Sequence, residues 1–331
     1  MTNIFAAGIG IATLNSQGNP LDCLFPAPLL KPAAELSGLL SALDAGTGSL
    51  TPEQLSKLDP DGQLAPTSLL EADQPLTTVR LETDGDITSI PEAYLKLHLL
   101  SHRLTLPNTL NLEGIFAHLP NLAWTTKGPV DLEELQSVLI AGKISGDHVE
   151  VMGVDKFPKM VNYVMPSGVR IADASRIRLG AYLGEGTTVM HEGFINFNAG
   201  ALGPNMVEGR ISQGVTVGEG SDLGGSASTQ GTLAGGGKIV ITIGKNCLIG
   251  ANAGTGIPLG DRCTIEAGLY ITAGTVVTVI DEAGDEVRKA KARELAGGSD
   301  MLFIRNSVTG QVICRTNRRA IELNEALHAH N

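Results

Sequence analysis

A six-residue apolar beat runs through the middle of the chain. From Ile177 it falls on Leu183, Val189, Ile195, Ala201 and Val207, slips by four to Ile211, and goes on through Val217 and Leu223. It resumes at Ile243 and Ile249, then at Leu259, Ile265, Ile271 and Val277. A period of six matches neither a helix nor the plain alternation of a strand. It fits a parallel β-helix, a coil wound as a triangular prism with three short flat sides, so that every sixth side chain points inward.

A second register supports this. Residues two before each beat are mostly small or apolar, among them Ala181, Ala199, Val215, Cys247, Cys263 and Leu269. Alternate residues of a strand share a face, so each side needs one bulky and one compact inward residue. Glycine often follows the beat, as in Leu183-Gly184 and Val217-Gly218, where it suits a corner. A β-sandwich with glycine-rich turns is the competing reading, and three in-phase runs of hexads disfavour it.

Composition narrows the function classes. Aromatic residues make up only 4%, which suits an aliphatic repeat core and argues against stacking platforms for single-stranded nucleic acid. The net charge of −11 disfavours nucleic acid and anionic membrane as partners. Cys23, Cys247, Cys263 and Cys314 show no metal or redox spacing and read as reduced core thiols. No convincing leader and no run of eighteen apolar residues is present, so a cytoplasmic location is expected.

Three segments are expected. Residues 1–145 lack the beat and read as a small α/β domain. A strand is predicted over Phe5–Leu14, and short helices with loops over 30–75. Helices are predicted over Glu92–Leu104, after Pro91, and over Asp131–Ile140. Residues 146–281 hold a lead-in and the prism, interrupted by a glycine-rich loop at Thr229–Lys238. Residues 282–331 form a tail, with a helix predicted at Glu286–Leu295 and a strand pair around 302–315. The tail is basic, and Arg288, Lys289, Lys291 and Arg293 suit either a solvated face or a clamp for an anionic ligand.

The strongest chemical candidate is Glu208. Val207 is on the inward beat, so Glu208 points outward, either as a surface charge or into a groove. A groove-bound glutamate can act as a general base or form a covalent acyl intermediate. His191 is the one histidine between 165 and 280, which rules out a three-histidine zinc site in the coil. His98 and His102 lie one helical turn apart without a metalloprotease glutamate and read as a pair on a helix surface.

The runs Tyr94–Arg103, Gly153–Pro158, Gly186–Phe194, Asn205–Arg210 and Lys291–Leu295 resemble tetrahydrodipicolinate N-succinyltransferase, in its actinobacterial form. The resemblance covers nearly the whole chain and is weakest in 30–75. It implies a mainly β chain built on a left-handed parallel β-helix, with an N-terminal α/β domain and a small C-terminal domain. It implies a homotrimer with sites between neighbouring prisms, and transfer of succinyl from succinyl-CoA to the amine of L-2-amino-6-oxopimelate, on the route to diaminopimelate and lysine. By position, Glu208 matches the family's catalytic glutamate. Arg210, Gly225, Ser228, Ala251, Glu266, Ala267, Gly274 and Lys291 match succinyl-CoA contacts, as does the stretch Ile304, Arg305, Asn306 and Ser307. Lys291 and Arg305 would pair the phosphates of CoA, and the glycine loop around Gly231 would offer an N–H to the thioester oxygen. The resemblance also implies Mg²⁺ at the trimer axis. Glu192 matches one carboxylate ligand, but the other position is Ser175, whose neutral hydroxyl is a weaker ligand for a hard cation.

Two other classes compete. An acetyltransferase on the same scaffold differs only in acyl length, which no single residue fixes. A non-catalytic β-helix needs neither the basic tail nor a groove glutamate. Asn196 and Asn198, one coil from Glu208, are candidate contacts for the amino-acid substrate.

Overall fold

The computed structural model describes residues 4–231 and 240–316. The chain divides into two compact units. One runs through Thr105 and takes up again from Thr109 to Val164; the other joins Leu106–Asn108 to the chain from Met165 onward.

The first unit is built on an antiparallel sheet of β1 (Ala6–Leu14), β2 (Pro20–Leu24), β3 (Leu29–Leu30), β4 (Gly46–Leu50) and β5 (Leu76–Leu81). Its order is β2-β1-β5-β4, with β3 also pairing β1. Helices α1 (Ala34–Leu40) and α2 (Pro52–Leu58) contribute Leu40 and Leu55 to a core with Ala7, Ile9 and Leu76. Thr51 caps α2 in a reciprocal pairing with Gln54. Helix α3 (Ile90–Ser101) starts at Ser89, whose hydroxyl accepts from the Glu92 N–H, and carries Pro91 in its first turn. The predicted helix therefore exists but stops at Ser101. Past the short helix α4 (Ile115–His118), strands β6 (Leu122–Thr125), β7 (Gly128–Asp131) and β8 (Val151–Asp155) make a second sheet in the order β7-β6-β8.

Three expectations fail in this unit. His98 is fully buried rather than on a helix surface, because α3 is buried from Pro91 to Ser101. Its Nε2 accepts from the Phe25 N–H at 3.3 Å and its Nδ1 donates to Tyr94 O at 2.8 Å. The helix predicted from Asp131 begins four residues later, as α5 (Leu135–Ser145). Asp131 instead ends β7 and accepts from the N–H groups of Glu133 and Glu134 in a turn. Residues 146–164, expected to lead into the prism, belong with the first unit because β8 pairs with β6.

The second unit is the prism. Its first face stacks the pairs 182–183, 200–201, 216–217 and 242–243 in parallel. The second face stacks strands at 170–171, 187–189, 205–207, 222–223, 248–249 and 264–265. The third stacks 194–195, 210–211, 228–229, 254–255 and 270–271. All fifteen residues of the beat are buried, none above 2% exposed. Each buried aliphatic residue contributes roughly 1.5–3 kcal/mol by leaving water, so the column as a whole holds the coil. At Gly184 a Cβ would lie 2.1 Å from Leu202 O, so this corner admits glycine alone.

Two inward positions were not in the predicted beat. Thr229 and Thr255 continue the column, stacked on each other at 2% and 0% exposure. Their hydroxyls bond the backbone of the coil: Thr229 donates to Arg210 O, and Thr255 to Ile257 O. The glycine-rich loop predicted at Thr229–Lys238 lies mostly outside the described residues.

The tail departs from prediction once. Glu286–Lys291 is a strand, not a helix; it pairs antiparallel with Val276–Ile280 and is followed by a single 3-10 turn at Ala292–Leu295. The turn between the strands explains it: Asp281 Oδ1 accepts from the N–H groups of Ala283 and Asp285, and Gly284 takes φ +95°. The predicted strand pair is present as Met301–Arg305 and Val312–Thr316. Met301–Arg305 continues the second face above 264–265. The four cysteines are free and buried.

Candidate active site

Glu208 sits in a notch that the phase slip creates. Along the second face, Val189, Val207 and Leu223 lie in register, 18 and then 16 residues apart. The two missing residues come from the corner after Val207. From Met190 to the next strand at Phe194 takes four steps, as does Gly224 to Ser228, whereas Glu208 to Arg210 takes two. Flanked by longer corners, the Glu208 carboxylate is half-buried and faces Gly225 of the following coil, where a Cβ would lie 3.7 Å from Oε2. Its backbone is fixed from above: the Glu208 N–H donates to Leu223 O at 2.8 Å, and Glu208 O accepts from the Ser226 N–H at 3.2 Å.

The structure brings most predicted contacts onto one edge, between the second and third faces. Gly225, Ala251 and Ala267 occupy successive corners there, joined by bonds from Asn252 N to Gly225 O and from Gly268 N to Ala251 O, both 2.8 Å. Glu266 precedes Ala267, and its Oε2 accepts from the Arg305 N–H at 2.7 Å, so this carboxylate braces the tail. Ile304 and Arg305 lie at the same edge on the next rung, and Asn306 and Ser307 follow in the hairpin turn. The Asn306 side chain accepts from the N–H groups of Val308 and Thr309 and so shapes that turn. Arg210 and Ser228 are outward neighbours on the third face, with Arg210 Nε donating to Ser228 Oγ at 3.4 Å.

Gly274 and Lys291 lie apart from this edge, beyond the far end of the third face. Gly274 is in the corner after Ile271, and the tail is pinned there by Ala292 N to Thr275 O at 2.8 Å and by Arg293 to Ala273 O. Lys291 is exposed; its backbone N–H is capped by Glu294, which also meets Arg288. The third face is thus framed by two rows of predicted contacts.

Glu192 is exposed in the corner before Glu208, and its Oε2 accepts from the Ser226 hydroxyl at 2.9 Å. Ser175 donates to Asp173 Oδ1 at 2.6 Å and is already engaged. Among the described residues no group of three or more His, Cys, Asp or Glu side chains could hold a metal, so one chain's donor set does not fit a Mg²⁺ centre. Of the two asparagines considered for substrate, Asn198 is buried and bonded to Asn108, while Asn196 accepts from Arg178. Sequence reasoning missed Ser226, which stands in the run Gly224-Gly225-Ser226-Ala227 and takes φ +58° in the structure.

Comparison with known proteins agrees with this architecture. Residues 240–273 match the family model described as the hexapeptide repeat of succinyl-transferase, and residues 119–159 match the middle segment of tetrahydrodipicolinate N-succinyltransferase. The 2,3,4,5-tetrahydropyridine-2,6-dicarboxylate N-succinyltransferase of Pseudomonas putida is 54% identical over 340 residues, with 99% of each chain covered. The protein of the same name from Vibrio cholerae is 52% identical over 341 residues, again with 99% of each covered. A crystal structure from Campylobacter jejuni, under the name 2,3,4,5-tetrahydropyridine-2-carboxylate N-succinyltransferase, superposes with a TM-score of 0.86 at 32% identity, covering 97% of this chain and 94% of that one. The prism is a left-handed parallel β-helix of the hexapeptide-repeat type. With relatives more than half identical along their whole length, the chain belongs to the tetrahydrodipicolinate N-succinyltransferase family.

Proposed function

We propose that this chain moves succinyl from succinyl-CoA to the amine of L-2-amino-6-oxopimelate, the ring-opened form of tetrahydrodipicolinate, in the succinylase branch of diaminopimelate and lysine biosynthesis. The observation that carries the chemistry is Glu208: a half-buried carboxylate in a shortened corner, opposite the bare backbone of Gly225. In the covalent route its oxygen attacks the thioester carbonyl, the C–S bond breaks, and CoA leaves as the thiolate. The amine then attacks the resulting anhydride, forming the C–N bond and releasing the carboxylate, while its proton passes to the thiolate. In the alternative route Glu208 takes the proton of the amine as that amine attacks the thioester directly; the C–N bond forms, the C–S bond breaks, and the proton passes from Glu208 to the departing thiolate.

CoA is long and polyanionic. The small residues Gly225, Ala251 and Ala267 leave room for its close approach along the edge, and Lys291 and Arg305 are the cations that would meet its phosphates. A homotrimer with each site completed by a neighbouring prism belongs to this reading, and Arg210 and Tyr270 are exposed on the third face of one chain. The same reading carries a cytoplasmic location; among the described residues no helix is long and apolar enough to cross a membrane. Toward an Mg²⁺ site at a trimer axis this chain offers one carboxylate, Glu192, which accepts from Ser226, while the second position is the weaker hydroxyl of Ser175.

A thiol-release assay with tetrahydrodipicolinate tests the proposal. Succinyl-CoA should be consumed much faster than acetyl-CoA. Faster release from acetyl-CoA would transfer the assignment to an acetyltransferase, and no release from either would overturn it.

A further inference from the structure

The third face carries an exposed outward residue, Tyr270, that the reaction as described does not use. Its outward column runs Phe194, Arg210, Ser228, Gly254 and Tyr270 in register, while Ile195, Ile211, Thr229, Thr255 and Ile271 point inward and are buried. Tyr270 is 39% exposed. A Cβ on Gly254 would lie 2.3 Å from its Cε2 and 2.6 Å from its Cδ2, so one edge of the ring rests on a backbone that has no side chain. Scattered exposed aromatic residues are ordinary. This one is seated in a place that any other residue at 254 would fill, and it lies between the Ala251–Ala267 edge and the Gly274–Lys291 edge.

Its height on the prism suggests what it meets. Tyr270 stands three rungs beyond Arg210, roughly 14 Å at about 4.8 Å per rung. That span separates the Glu208 corner, where a thioester must lie, from the basic tail, where phosphates would lie. The part of an acyl-CoA that bridges such ends is the amide-and-methylene arm. Against it an aromatic ring offers rigid apolar area at small entropic cost, with a hydroxyl at its rim.

We infer that Tyr270, seated on Gly254, is a positioning residue for the pantetheine arm of the acyl donor; this rests on the functional reading above. Tyr270→Ala should weaken CoA binding, measured by calorimetry, about tenfold and raise KM for succinyl-CoA by a similar factor, with kcat little changed. Tyr270→Phe should stay within about twofold of wild type. Adenosine 3′,5′-bisphosphate, which has the nucleotide end without the arm, should bind all three proteins alike. CoA affinity unchanged in Tyr270→Ala overturns the inference, as does an equal loss for the bisphosphate. A changed sedimentation mass would make the ring an interface element and overturn it too. A wild-type protein that binds no CoA removes the functional reading together with this one, whereas intact binding in both proteins removes this one alone.

Discussion

The Ser226 hydroxyl donates to Oε2 of Glu192 across 2.9 Å, although the two residues belong to corners that sandwich a third. They meet because the corner between them, at Glu208, is two residues short. The slip in the hydrophobic beat is therefore the cause of the recess that holds the glutamate. Inserting two residues after Gly209 would restore the 18-residue step and keep every side chain on its own face. Circular dichroism should still report the prism, while thiol release should fall by about 100-fold or more as the carboxylate is displaced. Wild-type turnover in the insertion variant would detach the recess from the chemistry.

Glu208→Gln keeps the shape and removes both the nucleophile and the base. Thioester turnover should drop by two to four orders of magnitude, with the melting temperature close to wild type. A loss of less than about tenfold would exclude Glu208 from either role.

Lys291 is exposed and its side chain has no carboxylate partner among the ion pairs of the described residues. Its replacement by alanine should leave the fold intact and raise KM for succinyl-CoA more than it lowers kcat. Steady-state kinetics at two ionic strengths check this, since a phosphate contact weakens with salt. An unchanged KM at low salt would remove the clamp.

His98 makes the first unit sensitive to acid. Burial, the largest cause, together with the nearby His102 lowers its pKa from 6.5 to about 3, against a bond to Tyr94 O that raises it. A base with a lowered folded pKa contributes stability that is fully present above the unfolded value of about 6.5 and is lost as pH falls toward 3. At pH 5 the loss is about 2 kcal/mol from this group alone. The melting temperature should fall between pH 7.5 and 5, and His98→Gln should start lower but show a smaller fall. An equal fall in both proteins would assign the acid sensitivity to other groups.

Much of the prism was legible in the sequence because its period has no rival. Ile177, Val189 and Ile265 point inward as their spacing required. Thr229 and Thr255 escaped notice because a buried threonine is visible only through the backbone oxygens its hydroxyl meets, and those come from the coil itself. Arg288 and Lys289 read as helical from their charge density, yet Asp281 and Gly284 nearby already favoured a tight turn between strands. His98 was misplaced for a related reason: a polar ring reads as surface until both of its nitrogens find partners. The gathering of Gly225, Ala251 and Ala267 onto one edge follows from the period. The bond from Ser226 to Glu192 does not, since it depends on side chains two coils apart.

Among the described residues, the strand Glu286–Lys291 lies outermost in the sheet that extends the second face. A solenoid whose last rung is bare invites another molecule to add a rung, and then another, until a fibre forms. Here the outermost rung carries Arg288, Lys289 and Lys291, and a second copy approaching it would meet like charge. Growth by edge-to-edge addition of rungs is thereby disfavoured at this strand.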